Sequence, residues 1–348
     1  MWAYSFTGRR SFFRERHRVL FSLSSNDNDR RNLTSALSLG AHGIFISSPD
    51  DASQLAAAKT ALRDLMADSH VTRDDICIVC QCSSTWSSMD AMATKCKDVA
   101  TKLNVGRLDV VLYSTALLPV QGLVRTSALV DAWTAMVSLR TAGLADHIGV
   151  CDFPIHELEF LLRRFPSYPV EVQCVHDVTP FSPHEHMVQF CHSRQIDVIA
   201  CFSIQMESLT HAQKTKWMSL VSDITTAHQT VWFQLNLPFE TVRVENATAP
   251  INQAIKNCNV RLESRRTPEE VLVSWLNQRG IIAVPTVEDD EPYDTNVCRS
   301  LFSLCHPFVK EHAAVAPSKP YRFVLSKHEM DAVEACRQNV DSRTRLIG

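Results

Sequence analysis

The segment Trp133–Phe153, WTAMVSLRTAGLADHIGVCDF, constrains the fold more than any other part of the chain. Trp133, Met136 and Leu139 recur at the spacing of one helix face, Gly143 supplies a stop, and Ile148–Val150 is a short buried strand. A helix that runs through a glycine into a buried apolar strand is half of a parallel strand–helix–strand unit.

The same alternation extends along the chain. Short apolar runs at Val19–Leu23, Ile44–Ser47, Ile76–Cys82, Asp109–Ser114, Ile148–Val150, Val170–Val175, Val198–Phe202 and Ile281–Pro285 read as strands. Helical runs at Arg31–Leu39 (stopped by Gly40), Ala52–Ala67, Met89–Leu103, Leu129–Arg140, Ile155–Phe165, His184–Ser193 and Thr267–Gln278 separate them. Thr267-Pro-Glu-Glu270 combines a capping box with proline at the first helical position. Ser326-Lys-His-Glu329 opens a C-terminal helix expected to reach about Gln338. Parallel strands joined by crossover helices predict an α/β fold, and eight such units close into a (β/α)8 barrel. Residues 206–266, with a strand-like VWFQLN, and 287–322, opening on EDDEPYD, are read as insertions before and after the last strand.

Composition narrows the function classes. A net charge of −3 gives no general case for nucleic-acid binding, and no apolar run reaches the roughly 18 residues of a membrane span. Twelve cysteines without framework spacing suggest reduced thiols. Residues 1–17 differ from the rest: Arg9, Arg10, Arg14 and Arg16, followed by Arg18, stand among aromatics and serines with Glu15 the only acid. This is the composition of a mitochondrial presequence, or of a basic arm that stays on the protein and docks on a partner. The barrel is expected over 18–348.

Three stretches carry a family resemblance: W-x-x-M-x-x-L-x-x-x-G…IGV-x-x-F at 133–153, the Thr267–Gln278 helix leading into GIIAVP, and the late YRFVLSKHEMDAV. On these the chain from about residue 18 resembles the aldo-keto reductases. The resemblance implies a TIM barrel that reduces carbonyls with a nicotinamide cofactor, usually NADP. It also implies a tyrosine proton donor, a lysine paired with an aspartate that lowers the tyrosine pKa, and a histidine that orients the carbonyl.

The positions where the family keeps these residues hold others. Phe45 stands for the aspartate, Asp50 for the tyrosine, Gln81 for the lysine and Ser114 for the histidine. Phe45 cannot hold a lysine, and Gln81 carries no charge. Asp50 with an ordinary pKa of about 3.9 is deprotonated at pH 7 and cannot donate. The cofactor contacts are similarly thin. Cys151-Asp152 replaces the Ser-Asn that holds the carboxamide. Gln173 matches a carboxamide-binding glutamine but reads equally as a packed barrel residue. Cys201-Phe202 replaces the stacking tyrosine. Thr286-Val287 and the acids Glu288, Asp289 and Asp290 replace the phosphate-binding Lys-Ser, with Arg299 as a distant substitute.

Two cysteine and histidine groups were weighed as metal or redox sites. Cys77-x-x-Cys80-x-Cys82 lies on a strand, where residues three apart point to opposite faces, so buried cysteine is the better reading. His184, His186, Cys191 and His192, with Cys174 and His176 upstream, make zinc conceivable. His184 and His186, two apart on an expected helix, do not share a face, and no metal is expected. The expectation is a non-catalytic member with degenerate catalytic positions, serving as a structural or regulatory subunit of a mitochondrial assembly such as the mitochondrial ribosome. Its partners would be other protein subunits, with nucleic acid met only indirectly, and no cofactor is expected unless NADP binding is retained. The alternatives are a divergent NAD(P)-dependent oxidoreductase acting on carbonyls, or a cofactor-sensing regulatory module.

Overall fold

The computed structural model describes residues 12–13, 18–23, 33, 43–68, 71–86, 88–118, 123–203, 206, 208–227, 230–235, 258–263, 267–286 and 323–337. Strands β1 (Phe21–Ser22), β2 (Gly43–Ile46), β3 (Cys77–Gln81), β4 (Leu108–Ser114), β5 (Ala145–Cys151), β6 (Val172–Val175), β7 (Asp197–Ser203) and β10 (Ile281–Thr286) form one eight-stranded parallel sheet in that order. Leu20 N donates to Ala283 O (2.9 Å) and Ala283 N to Arg18 O (2.9 Å), so the ends of the sheet meet and it closes into a (β/α)8 barrel.

Strand alternation sorts the apolar side chains into two layers. Leu20, Phe45, Val79, Val110, Leu112, Val172, Ile199 and Val284 fill the lumen. Ile44, Ile78, Val111, Val150 and Ala200 face outward under the helices. The helices are α1 (Ala52–Asp68), α2 (Met89–Leu103), α3 (Leu123–Thr141), α4 (Ile155–Arg164), α5 (Glu185–Ser193), α6 (His211–Ala227), α7 (Pro268–Gln278) and α8 (Lys327–Glu334). Trp133, Met136 and Leu139 of α3 are buried against the sheet, and Trp133 Nε1 donates to Tyr168 O (3.1 Å). Gly143 holds φ +69°, the left-handed turn that carries the chain from α3 into β5. Both expected capping boxes form, at Thr267/Glu270 and Ser326/Glu329.

Some boundaries and assignments differ from expectation. The 206–266 stretch is not wholly an insertion: its first part is α6, the crossover helix between β7 and β10, with Trp217, Val221 and Ile224 turned inward. As expected, Val231–Leu235 of the strand-like run are strand, within β8 (Thr230–Leu235), which pairs antiparallel with β9 (Cys258–Glu263) as a separate ribbon. His184 precedes α5 with φ +47° rather than opening its helical turn. The C-terminal helix α8 ends at Glu334. The expected helix at 31–39 (apart from Leu33) and the 287–322 stretch, with Glu288, Asp289, Asp290 and Arg299, lie outside the described residues. Two residues of the N-terminal arm are tied to the barrel: Phe13 is buried among the lumen side chains and Phe12 stacks on His147 at 3.8 Å.

Candidate functional site

In a barrel of this kind the C-terminal ends of the strands and the loops after them form the mouth where sites are built. Two arcs of that mouth carry the polar residues.

The first arc runs over β2, β3 and β4. Phe45, Gln81 and Ser114 all project into the lumen, on the face of Val79 and Leu112. Phe45 is fully buried and apolar. Gln81 Oε1 is buried and accepts no hydrogen bond among the described residues. Ser114 Oγ accepts from Ala116 N (3.3 Å) and caps the turn that follows β4. Asp50, in the loop after β2, leans away onto the β3–α2 connection. It accepts from Ser83 Oγ and Thr85 Oγ1 (2.8 Å) and pairs with Lys95 Nζ (2.8 Å). Its slight burial pushes the pKa up, but hydrogen bonds from Lys95, Ser83 and Thr85 outweigh that and hold it at about 2. The carboxyl is therefore ionised at neutral pH and has no proton to give. Tyr113 of β4 sits in the outward layer under the helices, not at the mouth.

The second arc runs over β5, β6 and β7, and each of these strands brings a cysteine to the lumen near its C-terminal end. Cys151 and Cys174 are register partners across β5–β6. Cys201 lies two residues beyond Ile199, the partner of Cys174 on β7, and so on the same face. Cys174 and Cys201 approach to 3.5 Å between sulfurs. His176, just past β6, sets Nδ1 3.5 Å from Cys151 Sγ and 2.6 Å from Asp152 Oδ2. Asp152 Oδ1 also accepts from His176 N (3.0 Å), a clamp that Asp152 reaches from a left-handed backbone at φ +57°.

Electrostatics follow from this clamp. The Asp152 hydrogen bond, then the neighbouring thiols of Cys151 and Cys201, raise the His176 pKa well above its ordinary value. Burial pushes Asp152 up, but His176 more than offsets it and the carboxyl is lowered. Cys201 is lowered, to about 6, by the hydrogen bond from Cys174 against the opposing effect of burial and with help from His176. Cys174 is raised well above the usual thiol range by the same contacts with Cys151 and Cys201 and by burial. Among the described residues, Cys151, Cys174 and His176 are the group whose ligand atoms all lie within 4.8 Å of one another.

The remaining expected residues fall elsewhere. Gln173 is fully buried but pairs in register with outward-facing Val150; its Nε2 donates to Phe153 O (3.1 Å), away from the lumen. Cys77 faces the lumen, whereas Cys80 and Cys82 face the helices, so the three do not converge. His184 and His186 line an open groove of about 750 Å³ with Ile155, Phe181 and Arg337, apart from Cys174 and His176. In sequence Cys174 and His176 stand closest to those histidines; the register instead joins them to Cys151 and Asp152, one strand away. A usable signal was present, since β5, β6 and β7 each carry a cysteine near the same end.

Comparison with known proteins gives this geometry a family context. A family model described as "Aldo/keto reductase family" matches residues 51–314. "Aldo-keto reductase family 1 member C3" of Pongo abelii is 22% identical over 288 residues, covering 75% of this chain and 79% of its own length. The "NADPH-dependent aldose reductase GRE3" of Saccharomyces cerevisiae is 27% identical over 157 residues, covering 45% of this chain and 39% of its own. Among solved structures, an aldo-keto reductase of Bombyx mori in complex with NADP superposes with a TM-score of 0.62 at 15% identity. It covers 91% of this chain and 88% of that one, a likeness of fold.

Proposed function

The chain belongs to the aldo/keto reductase family, and from that premise we propose that it is a member without the family's proton-relay chemistry, a non-catalytic barrel serving as a structural or regulatory subunit of a larger assembly. One observation carries this reading. The residue at the proton-donor position, Asp50, is held ionised by Lys95, Ser83 and Thr85, while Phe45, Gln81 and Ser114 offer it no charge that would change this. Losing donor, tuning pair and carbonyl-orienting residue together leaves no member of the relay for the others to act through.

The nicotinamide end of the family's cofactor does not fit the described mouth. Both Asp152 oxygens are engaged by His176, and the Gln173 amide is turned outward onto Phe153 O. The setting we propose is mitochondrial, with protein subunits as partners; its support is the arginine-rich start, Arg9, Arg10, Arg14, Arg16 and Arg18.

A divergent oxidoreductase is the competing reading, favoured by His176, a partly exposed imidazole at the mouth held in place by Asp152. Titration of the purified protein with NADPH, followed by a panel of aldehydes and ketones, separates the two. The proposal expects no carbonyl-dependent oxidation of NADPH. Turnover that disappears in Asp50→Ala or Ser114→Ala sinks it. Turnover that disappears only in His176→Gln establishes the competing reading. For the assembly, size fractionation of organelle extracts should place the chain in a large complex; recovery as a lone monomer contradicts it.

A further inference from the structure

The second arc has a chemistry of its own, independent of whether the family's relay operates. It gathers three thiols, one imidazole and one carboxylate where the closed barrel brings β5, β6 and β7 side by side. We propose that Cys151, Cys174 and His176 bind a thiophilic divalent cation, zinc foremost, at the mouth of the barrel, with Cys201 beside Cys174 to complete a tetrahedron.

The spacing supports this directly. Ligand atoms around tetrahedral zinc, with Zn–S about 2.3 Å and Zn–N about 2.0–2.1 Å, stand roughly 3.5–3.8 Å from one another. Cys151 Sγ is 3.5 Å from the His176 ring nitrogen, and Cys174 Sγ is 3.5 Å from Cys201 Sγ. The ligand atoms of Cys151, Cys174 and His176 all lie within 4.8 Å, so contraction by roughly an ångström forms the site. Asp152 touches both halves, 2.6 Å from the ring nitrogen and 3.7 Å from Cys151 Sγ. That carboxylate shares Nδ1 with the site, so its hydrogen bond to the ring gives way as the ion takes this nitrogen, and its negative charge then lies beside the cation. Sulfur donors with one imidazole favour zinc over hard cations such as magnesium or calcium.

The surroundings also suit a held ion. The three cysteines are buried on strands rather than on loops, so their positions are set by the sheet. His176 and Asp152 are only partly buried, with side chains 39% and 37% exposed, and give an entry path from solvent. Binding displaces the thiol protons of the ligating cysteines and the proton on the ligating ring nitrogen, and these leave to solvent; no electron is transferred.

The test uses the reduced, metal-free full-length chain. Titration with cobalt(II), a spectroscopic stand-in for zinc, should give thiolate-to-cobalt charge-transfer absorption that saturates at a single equivalent and is bleached by added zinc. Native mass spectrometry should then show one bound zinc. His176→Gln, at the exposed lip, should weaken binding about tenfold or more, as should Cys151→Ser. Cys191→Ser, a buried thiol on α5, should leave it unchanged. Circular dichroism confirms that each variant is folded; if Cys151→Ser is not, His176→Gln carries the test. Absence of the charge-transfer band in folded, reduced wild-type protein overturns the proposal. So does a band that survives both His176→Gln and Cys151→Ser, or one lost in Cys191→Ser. A protein that oxidises NADPH through Asp50 and still binds cobalt would end the non-catalytic reading while leaving this one intact.

Discussion

The two arcs of the barrel mouth are built on adjacent strands of one sheet, yet they carry opposite kinds of side chain. On β2–β4 the lumen-facing positions hold Phe45, Gln81 and Ser114, and Asp50 is turned outward into a partly solvated pair with Lys95. On β5–β7 the equivalent positions hold thiols, closed over by the His176–Asp152 clamp. Ser114 and Cys151 are register partners, so the change happens across a single strand pair. Backbone position alone therefore does not decide chemistry; the same frame presents a phenyl ring, an amide and a hydroxyl on one side and thiols on the other.

The comparison holds only if the arcs share a rigid frame, and that can be broken first. Trp133→Ala empties a buried site under β5 and should cost about 4 kcal/mol in a urea melt. A cost below about 1 kcal/mol would mean that α3 does not brace the junction. Gly149→Ala acts on the seam itself. A methyl there would meet Val172 O at 2.5 Å on one side and Leu112 Cδ2 at 2.8 Å on the other, contacts that require both arcs to shift. The expected loss is about 2–3 kcal/mol by the same melt; a neutral substitution would show the strands parting easily.

Two carboxylates sharpen the contrast between buried and exposed ion pairs. Glu171, at the foot of β6, is buried and paired with Arg140 (2.6 Å) and His147 (3.2 Å). Burial pushes its pKa up, but His147 and Arg140 overcome this and depress it from 4.5 to about 2. A folded-state pKa below the unfolded one means stability present above pH 4.5 and lost as pH falls towards 2. Glu171→Gln should therefore cost roughly 2–3 kcal/mol at pH 7, and the gap from wild type should close over that window. A gap that persists to pH 2 would point to packing, not charge. Asp50 is depressed similarly, but both side chains of its pair with Lys95 are partly open to solvent and the pair is screened. Asp50→Asn should leave the melting temperature within error, and a clear shift would show the first arc to be more rigid than its exposure suggests.

Much of the frame was legible from the sequence because strand and helix periods are local properties. Every lumen strand from β2 to β10 lay within a few residues of its apolar run, and both capping boxes formed where Thr267 and Ser326 announced them. Helix α6 was not legible: its inward residues Trp217, Val221 and Ile224 are spread thinly among polar ones, so the 211–227 run read as insertion. The make-up of the first arc was legible because it depends on residue identity alone. The second arc was not, because the Cys151–Cys174 pairing is a matter of register between strands. Asp152 reaches His176 through a left-handed residue that no period announces. Phe12 and Phe13 gave a similar surprise: inside an arm read as separable, they pack on His147 and in the lumen.

The central claim is that the first arc no longer does chemistry. Its most direct test is NADPH oxidation by purified wild-type, Asp50→Asn and Ser114→Ala proteins across aldehydes and ketones. The account predicts no carbonyl-dependent oxidation above the uncatalysed rate in any of the three. Wild-type turnover that falls in Asp50→Asn or Ser114→Ala would contradict it.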